Sequence, residues 1–311
     1  MASFLKKKWP NCSITLLGKT YTQSIADCCP YIDNFLNWDE LKTQTNNQLL
    51  KADVIIHVFP NKKIAALAKH SKIKKRIGTS RRWYHWLYCT DRVKFSRAKS
   101  NQHEAQLNLK LLKPLNIDIQ PNLETLSQLT TLQKHNTNNN EKLQQILSSD
   151  KFNLIIHPLS NKSAREWPIQ HFIELCNSLP EDQFNIIITG SKQESLILKH
   201  KLLPFCKHVR DTCGKLSLSE LISLIQSADG IVVGSTGPLH IAASSGINTL
   251  GLFPPKKNIN PERWGPIGKK ASYLTDKSEC KIACDNTNCP CMQNISVSQV
   301  HQTITGWLNN D

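Results

Sequence analysis

The sequence predicts an α/β chain of two halves, each built on parallel strands with helices on both faces, with a cleft between them. Three observations carry this. Apolar strand-like runs alternate with helical stretches from Asn153 to Phe253, the pattern of a doubly wound parallel sheet. A polar, Asn-rich segment around HNTNNNEK separates that series from an earlier one, as a linker would. The stretch Ile231–Phe253, IVVGSTGPLHIAASSGINTLGLF, passes from strand through a glycine turn into a helix and out into another strand. The 311 residues allow two domains at roughly 150 residues each. We place the first at 1–133, the linker at 134–150 and the second at 151–311.

Taken in order, Ser13–Leu17 is a short strand and Asp53–Phe59 (DVIIHVF) a stronger one, because Val and Ile are concentrated in it. Thr125–Lys151 is polar, with room for a short helix. The second half then reads as strand Asn153–His157, amphipathic helix Pro168–Leu179, strand Asn185–Thr189, helix Glu194–Leu203 and helix Leu218–Gln226. The Ile231–Phe253 unit closes the set, and Ser296–Asn309 forms a terminal helix. In such folds ligands sit at the carboxyl ends of the strands.

Composition narrows the class. Hydrophobic residues make up 39% and charged residues 20%, which describes a globular chain. No apolar run approaches the ~18 residues needed to span a bilayer, and MASFLKKKWP lacks a signal-peptide core. We therefore expect a cytoplasmic protein. In that compartment eleven cysteines argue against a disulfide scaffold, and seven scattered ones read as small buried apolar residues. A net charge of +15 calls for an anionic partner: nucleic acid, a membrane surface, or a phosphorylated or carboxylated substrate.

Four segments at strand ends carry chemistry. The turn Ser235, Thr236, Gly237 opens a helix at Pro238, where free N–H groups and the helix dipole favour a diphosphate; His240 lies just inside. His157–Trp167, HPLSNKSAREW, places Ser160, Asn161 and Ser163 beside Lys162 and Arg165, a composition suited to phosphate or, read alone, to a solvated loop. In TGSKQE, Glu194 follows a glycine turn and could accept from ribose hydroxyls, or simply start a helix. In GKLSL, Leu216 could flank a base, or pack in the core.

In this order the four segments resemble glycosyltransferase family nine, the bacterial lipopolysaccharide heptosyltransferases. The matching pieces are HPLSNKSAREWP, TGSKQE, LSLSELISLIQSADGIVVGSTGPLHIAASSGINTLGLFPP and PERWGPIG, with FLKKKWPNCSITLL, CCPYIDNFL, KKRIGTSRR and NQHEAQLNLKLL in the first half. The resemblance implies a GT-B fold of two Rossmann-like domains and an inverting, metal-independent transfer. It implies ADP-heptose as donor substrate, no cofactor, and the lipopolysaccharide inner core as acceptor. Position by position, Ser160 and Asn161 match a pair near the phosphates, Arg165 a phosphate-binding Lys, Glu194 the ribose carboxylate, Leu216 the residue at the base, and Thr236 and Gly237 the pyrophosphate turn. Ser235 stands where some members carry an Asp that holds the sugar.

Members open with a strand and a Gly-Asp loop, whose Asp is the proposed base, followed by a helix ending Leu-Lys-Lys-x-x-Pro. Met1–Pro10 matches the second half of that helix. On this reading the first strand, loop and Asp are absent, so the start codon is misassigned or the chain truncated, and the catalytic residue is unknown. The alternative function is a catalytically impaired nucleotide-sugar-binding homologue.

Asn61–Ser100 holds thirteen Lys and Arg against one acid, Asp91, and includes RRWYHW. Within such an enzyme this fits an acceptor site for an anionic lipid-linked oligosaccharide, with Lys75, Arg81 and Arg82 as contacts and the inner membrane held peripherally. The bland reading is a solvated basic face with Trp83 and Trp86 packed inside. A nucleic-acid partner would leave the four pocket segments unexplained, and we expect none. Cys280, Cys284, Cys289 and Cys291 form a weak zinc candidate, since their spacing departs from paired Cys-x-x-Cys; a reduced loop and no metal is the expectation. The whole reads as a monomeric Gram-negative enzyme acting at the cytoplasmic face of the inner membrane.

Overall fold

The computed structural model describes residues 1–42, 50–129, 131–134, 141–276 and 289–309. The chain divides into two compact units, Met1–Asn122 and Leu123–Asp311. The helices Leu123–Leu129 and Glu141–Ile146 belong to the second unit, so a helix stands within the segment read as linker.

In the first unit, β1 (Thr15–Gly18) and β2 (Asn34–Asn37) form a two-stranded parallel sheet. The strands β3 (Val54–Ile56), β4 (Lys75–Thr79) and β5 (Asp91–Val93) form a second parallel sheet with β4 in the middle. The described strands of this unit are thus divided between two small parallel sheets. Ile77, Phe95, Leu107 and Leu111 make the main core of this unit. Part of the basic segment is structural. Lys75 donates to the Pro114 carbonyl, and Arg76 to the carbonyls of Tyr88 and Ile73. Both cations lie along β4 as hydrogen-bond donors to neighbouring backbone.

The second unit holds one six-stranded parallel sheet. Its strands are β6 (Phe152–His157), β7 (Phe184–Ile188), β8 (Val209–Asp211), β9 (Gly230–Gly234), β10 (Asn248–Phe253) and β11 (Ala271–Thr275), in the spatial order β8-β7-β6-β9-β10-β11. Leu154, Ile156, Ile186, Ile188, Val232 and Leu252 are buried in one core with Trp167, Phe172, Met292, Val300 and Ile304. Strands buried on both faces read as continuous apolar runs, which is why β6, β7, β9 and β10 are visible in the sequence.

Two devices fix the centre of this sheet. Asp229 accepts from the Asn153 N–H at 2.7 Å, tying the start of β9 to the start of β6. At the same end the Trp307 ring stacks on Phe152 and lies so close to Gly230 that a Cβ there would stand 2.8 Å from it. The terminal helix Val297–Gly306, closed by the Ser296–Gln299 capping box, brings that ring into place.

The strand order carries the functional consequence. From β6 the chain winds outward through β7 and β8, then returns to place β9 on the other side of β6 and winds outward through β10 and β11. The order reverses between β6 and β9. At such a switch point the loops leaving adjacent strands diverge and open a crevice beyond their carboxyl ends.

Candidate nucleotide-binding site

The crevice is bordered by the loop after β6 and the turn after β9. In the turn, Thr236 is the residue preceding the helix Gly237–Ser245, and its side chain makes no capping bond to the first turn. The Thr236 N–H folds back to the Gly234 carbonyl at 2.8 Å, and a Cβ on Gly237 would meet nothing within 4 Å. The helix therefore opens onto free space, with the positive end of its dipole outward. Pro238 fits the first helical turn because its missing N–H breaks no bond there. Ser235, just before the helix, and His240, in its first turn, are half-buried.

The loop after β6 comes to the same place. The Arg165 carbonyl would lie 3.6 Å from a Cβ at Gly234, so the 160s loop borders the glycine turn. Its order comes from a residue that sequence reading missed. The Ser160 N–H donates to Glu166 Oε1 at 2.8 Å, and the Ser160 hydroxyl stands at the same distance from it. The Ser163 hydroxyl donates to the Ser160 carbonyl at 2.6 Å. Asn161 and Lys162 follow with φ of 47° and 65°, left-handed conformations that cost non-glycine residues about 1 kcal/mol each. Strain of this kind collects where a loop is held for use. Lys162 and Asn161 are exposed and Arg165 is half-buried, whereas Ser160 is buried and engaged inside its loop.

The loops after β7 and β8 form the floor beside β6. His157, at the end of β6, is buried with Nδ1 2.9 Å from Thr189 Oγ1. Burial holds its imidazole pKa down, against an opposing pull from the Glu194 charge. Glu194 is also buried. Its Oε2 accepts from the Ser191 N–H at 2.7 Å, and its N–H donates to the Ser191 hydroxyl at 3.3 Å, a capping box. The Ser-x-x-Glu pattern in SKQE carries that signal. Because a carboxylate accepts at both oxygens, the cap leaves Oε1, which accepts no hydrogen bond among the described residues. Gly214 (φ 71°) lets the β8 loop approach Lys192, where a Cβ would lie 3.1 Å from the Lys192 Cα, and its N–H bonds to the Gly190 carbonyl at 2.8 Å. Leu216 is half-buried just beyond, ahead of the helix Leu218–Ser227. The residues read from sequence for the donor thus fall on the loops and first helical turns at one edge of one sheet.

The first-unit candidates do not stay together. Arg81 and Arg82 are exposed beyond the carboxyl end of β4. Lys75 starts that strand, so about 13 Å of extended chain separates it from the other end, and its ammonium is engaged with Pro114. Trp83 and Trp86 are not packed inside: they are 64% and 61% exposed. A cavity of about 300 Å³ follows β5 instead, lined by Lys94, Lys99 and Lys110 with Ser96 and Ser100. These three ammonium groups make no ion pair among the described residues, while Arg97 between them is held by Glu104 and Asn108. Behind β4, His57 and His85 are buried with ring centres 5.4 Å apart. Burial first, then the neighbouring His85 and Arg76 charges, brings His57 down to about 4.

Cys280 and Cys284 lie outside the described residues. Cys289 and Cys291 are buried at the helix Pro290–Gln293, and no group of three or more His, Cys, Asp or Glu that could hold a metal occurs among the described residues.

A sequence profile of glycosyltransferase family 9 (heptosyltransferase) matches residues 44–292. A provisionally named glycosyltransferase of Haemophilus influenzae is 27% identical over 289 residues, covering 88% of this chain and 82% of its own length. The lipopolysaccharide core heptosyltransferase OpsX of the same species is 30% identical over 125 residues, 39% of this chain and 35% of OpsX. Among solved structures, the Escherichia coli ADP-heptose LPS heptosyltransferase II matches with a TM-score of 0.74 at 14% identity, over 99% of this chain and 93% of that one. A glycosyltransferase family 9 structure from Veillonella parvula gives 0.72 at 18% identity, over 100% and 92%. These likenesses show the fold: α/β of the GT-B type with parallel sheets.

Proposed function

We propose a function from one premise: the chain belongs to glycosyltransferase family 9. It is a glycosyltransferase that takes ADP-heptose as donor and the inner core of lipopolysaccharide as acceptor, working as a monomer at the cytoplasmic face of the inner membrane. The observation that carries this reading is the glycine turn and open helix start at the point where the strand order reverses. The similarity to a lipopolysaccharide core heptosyltransferase and to an ADP-heptose LPS heptosyltransferase II supports the substrate class.

The second unit holds the donor. Its diphosphate sits at the start of the helix Gly237–Ser245, against Thr236, Gly237 and the cations of Lys162 and Arg165. Glu194 Oε1 accepts from the ribose hydroxyls and Leu216 flanks the base. Ser235 and His240 border the sugar, and Asn161 completes the phosphate loop. Ser160 acts on that loop from inside, through Glu166. The first unit holds the acceptor, with Arg81, Arg82 and the Lys94–Lys99–Lys110 cavity meeting its anionic groups; Lys75 leaves this set because of its place on β4.

The acceptor hydroxyl attacks the anomeric carbon on the face opposite the diphosphate. The new C–O bond forms as the bond to the diphosphate breaks, the configuration inverts and the hydroxyl proton passes to solvent water. Negative charge grows on the leaving diphosphate, where the helix N-terminus and the two cations are already in place and need no reorganisation. No metal is required where fixed dipoles and cations meet that charge. The test is ADP release from ADP-heptose with a deacylated inner-core acceptor. Acceptor-dependent release is the expected result. ADP binding with no release above donor hydrolysis would reduce the chain to a nucleotide-sugar-binding protein.

A further inference from the structure

The exposed face of the first unit has a pattern that the transfer reaction does not use. Trp83, Trp86 and Leu87 lie on the short helix Trp83–Tyr88 at spacings of three and four residues, which places them on one side of it. They are 64%, 61% and 55% exposed, and Phe59, beyond the carboxyl end of β3, is 88% exposed. Each indole carries a cation: the Lys62 ammonium lies 4.8 Å from the Trp83 ring centre and the Arg92 guanidinium 4.5 Å from that of Trp86. The Trp86 N–H donates to the Ser80 carbonyl at 3.1 Å, which fixes that ring's direction. Four large apolar side chains held in water on one small unit are unusual without something to cover them.

We propose that this face docks on an anionic phospholipid surface, with Phe59, Trp83, Trp86 and Leu87 entering the interfacial layer and Lys62 and Arg92 meeting lipid phosphates. Indoles prefer the headgroup level, where an apolar ring and a polar edge are both satisfied. Cations seated on the ring faces reach the phosphates at that same level. The surrounding segment, thirteen Lys and Arg against one acid between Asn61 and Ser100, adds the attraction that an anionic leaflet requires. A nucleic acid fits less well. Bases would stack on the indole faces, which Lys62 and Arg92 already share, and Leu87 offers a base nothing. The inference deepens the proposed reaction, since it rests on that reading for a lipid-anchored acceptor.

The test is co-sedimentation of the full chain with vesicles of phosphatidylcholine plus phosphatidylglycerol, and with phosphatidylcholine alone. The wild type should sediment with the mixed vesicles and lose binding as salt rises. The exposed triple variant F59S/W83S/W86S should retain the wild-type thermal midpoint and partition at least about tenfold more weakly. Equal partitioning of the variant and the wild type would overturn the proposal. So would wild type that ignores the mixed vesicles, or that leaves them for a competing single-stranded RNA. ADP release with a deacylated, water-soluble acceptor is measured in parallel and should be the same for both proteins. Vesicle binding without release would sink the reaction and leave the surface standing; release without vesicle binding would do the reverse.

Discussion

The carboxyl edges of the two central sheets are built from opposite materials. Beyond β6, β7 and β8 in the second unit, many polar groups are already matched. Ser160 is held by Glu166, Glu194 by Ser191, His157 by Thr189 and Gly214 by Gly190. Beyond β3, β4 and β5 in the first unit, cations and large apolar rings stand in water, and the lysines of the cavity have no anionic partner among the described residues. The first arrangement suits a small ligand whose charge must be met without rearrangement. The second suits a large or surface-bound ligand that supplies the missing anions itself. The difference is one of preorganisation: one edge is finished before its ligand arrives, the other is completed by it.

The sharpest way to break this contrast is to remove charge from the finished edge. Arg165→Ala should lower ADP-heptose turnover by about 10²–10³, the range seen when one preorganised donor at a developing negative charge is lost. Steady-state kcat measures it, and a fall of less than tenfold would take Arg165 out of the leaving-group site. The next effect concerns the first unit. His57 is neutral when folded, with its pKa at about 4, while in the unfolded chain it takes a proton below about 6.5. Its contribution is complete above that pH and is lost as pH falls toward 4, on the order of 3 kcal/mol. His85, lowered by burial, acts in the same direction. Acid titration followed by hydrogen exchange should show the β4 amides opening before those of β6, and His57→Phe should flatten the slope. Simultaneous loss of both units at every pH would contradict this.

Smaller effects sharpen the comparison. Glu166→Ala leaves the Ser160 N–H without its partner, at a cost of about 1–2 kcal/mol, and should loosen ADP binding through the loop alone. Urea melts and ADP titration read the two quantities. Glu194→Gln keeps the capping box, because Gln closes it as Glu does, but removes a charged acceptor. Stability should move by less than about 0.5 kcal/mol while ADP affinity falls roughly tenfold. Equal changes in both would make Glu194 a helix cap and nothing more.

Sequence reading succeeded where burial is two-sided. NLIIH, NIIIT and GIVVG are apolar on both faces because helices cover both faces of the sheet, and the glycine turn announces the helix behind it. It failed where a side chain's role depends on a distant carbonyl or on a loop closing. KRIGT did not look like a strand because Lys75 and Arg76 hide its pattern, yet those cations are donors to Pro114, Tyr88 and Ile73. The edge strand β8, VRD, is too short to show a period. Glu166 could not be found from spacing, since its value lies in the turn that brings it back to Ser160. The Glu194 cap is legible from Ser-x-x-Glu, and the helix start read there beside the ribose role is present in the structure.

Trp307 stands at the opposite end of the central strands from the crevice between β6 and β9, against Phe152 and Gly230. Its position in the chain imposes an order on biosynthesis. The two strands that flank the crevice are translated long before the ring that seals their starting ends. A nascent chain can pair β6 with β9 and still lack the cover over the base of that pair. The second unit therefore completes its core only after translation has passed residue 307, and any pause before that point leaves Phe152 open to solvent and to other chains.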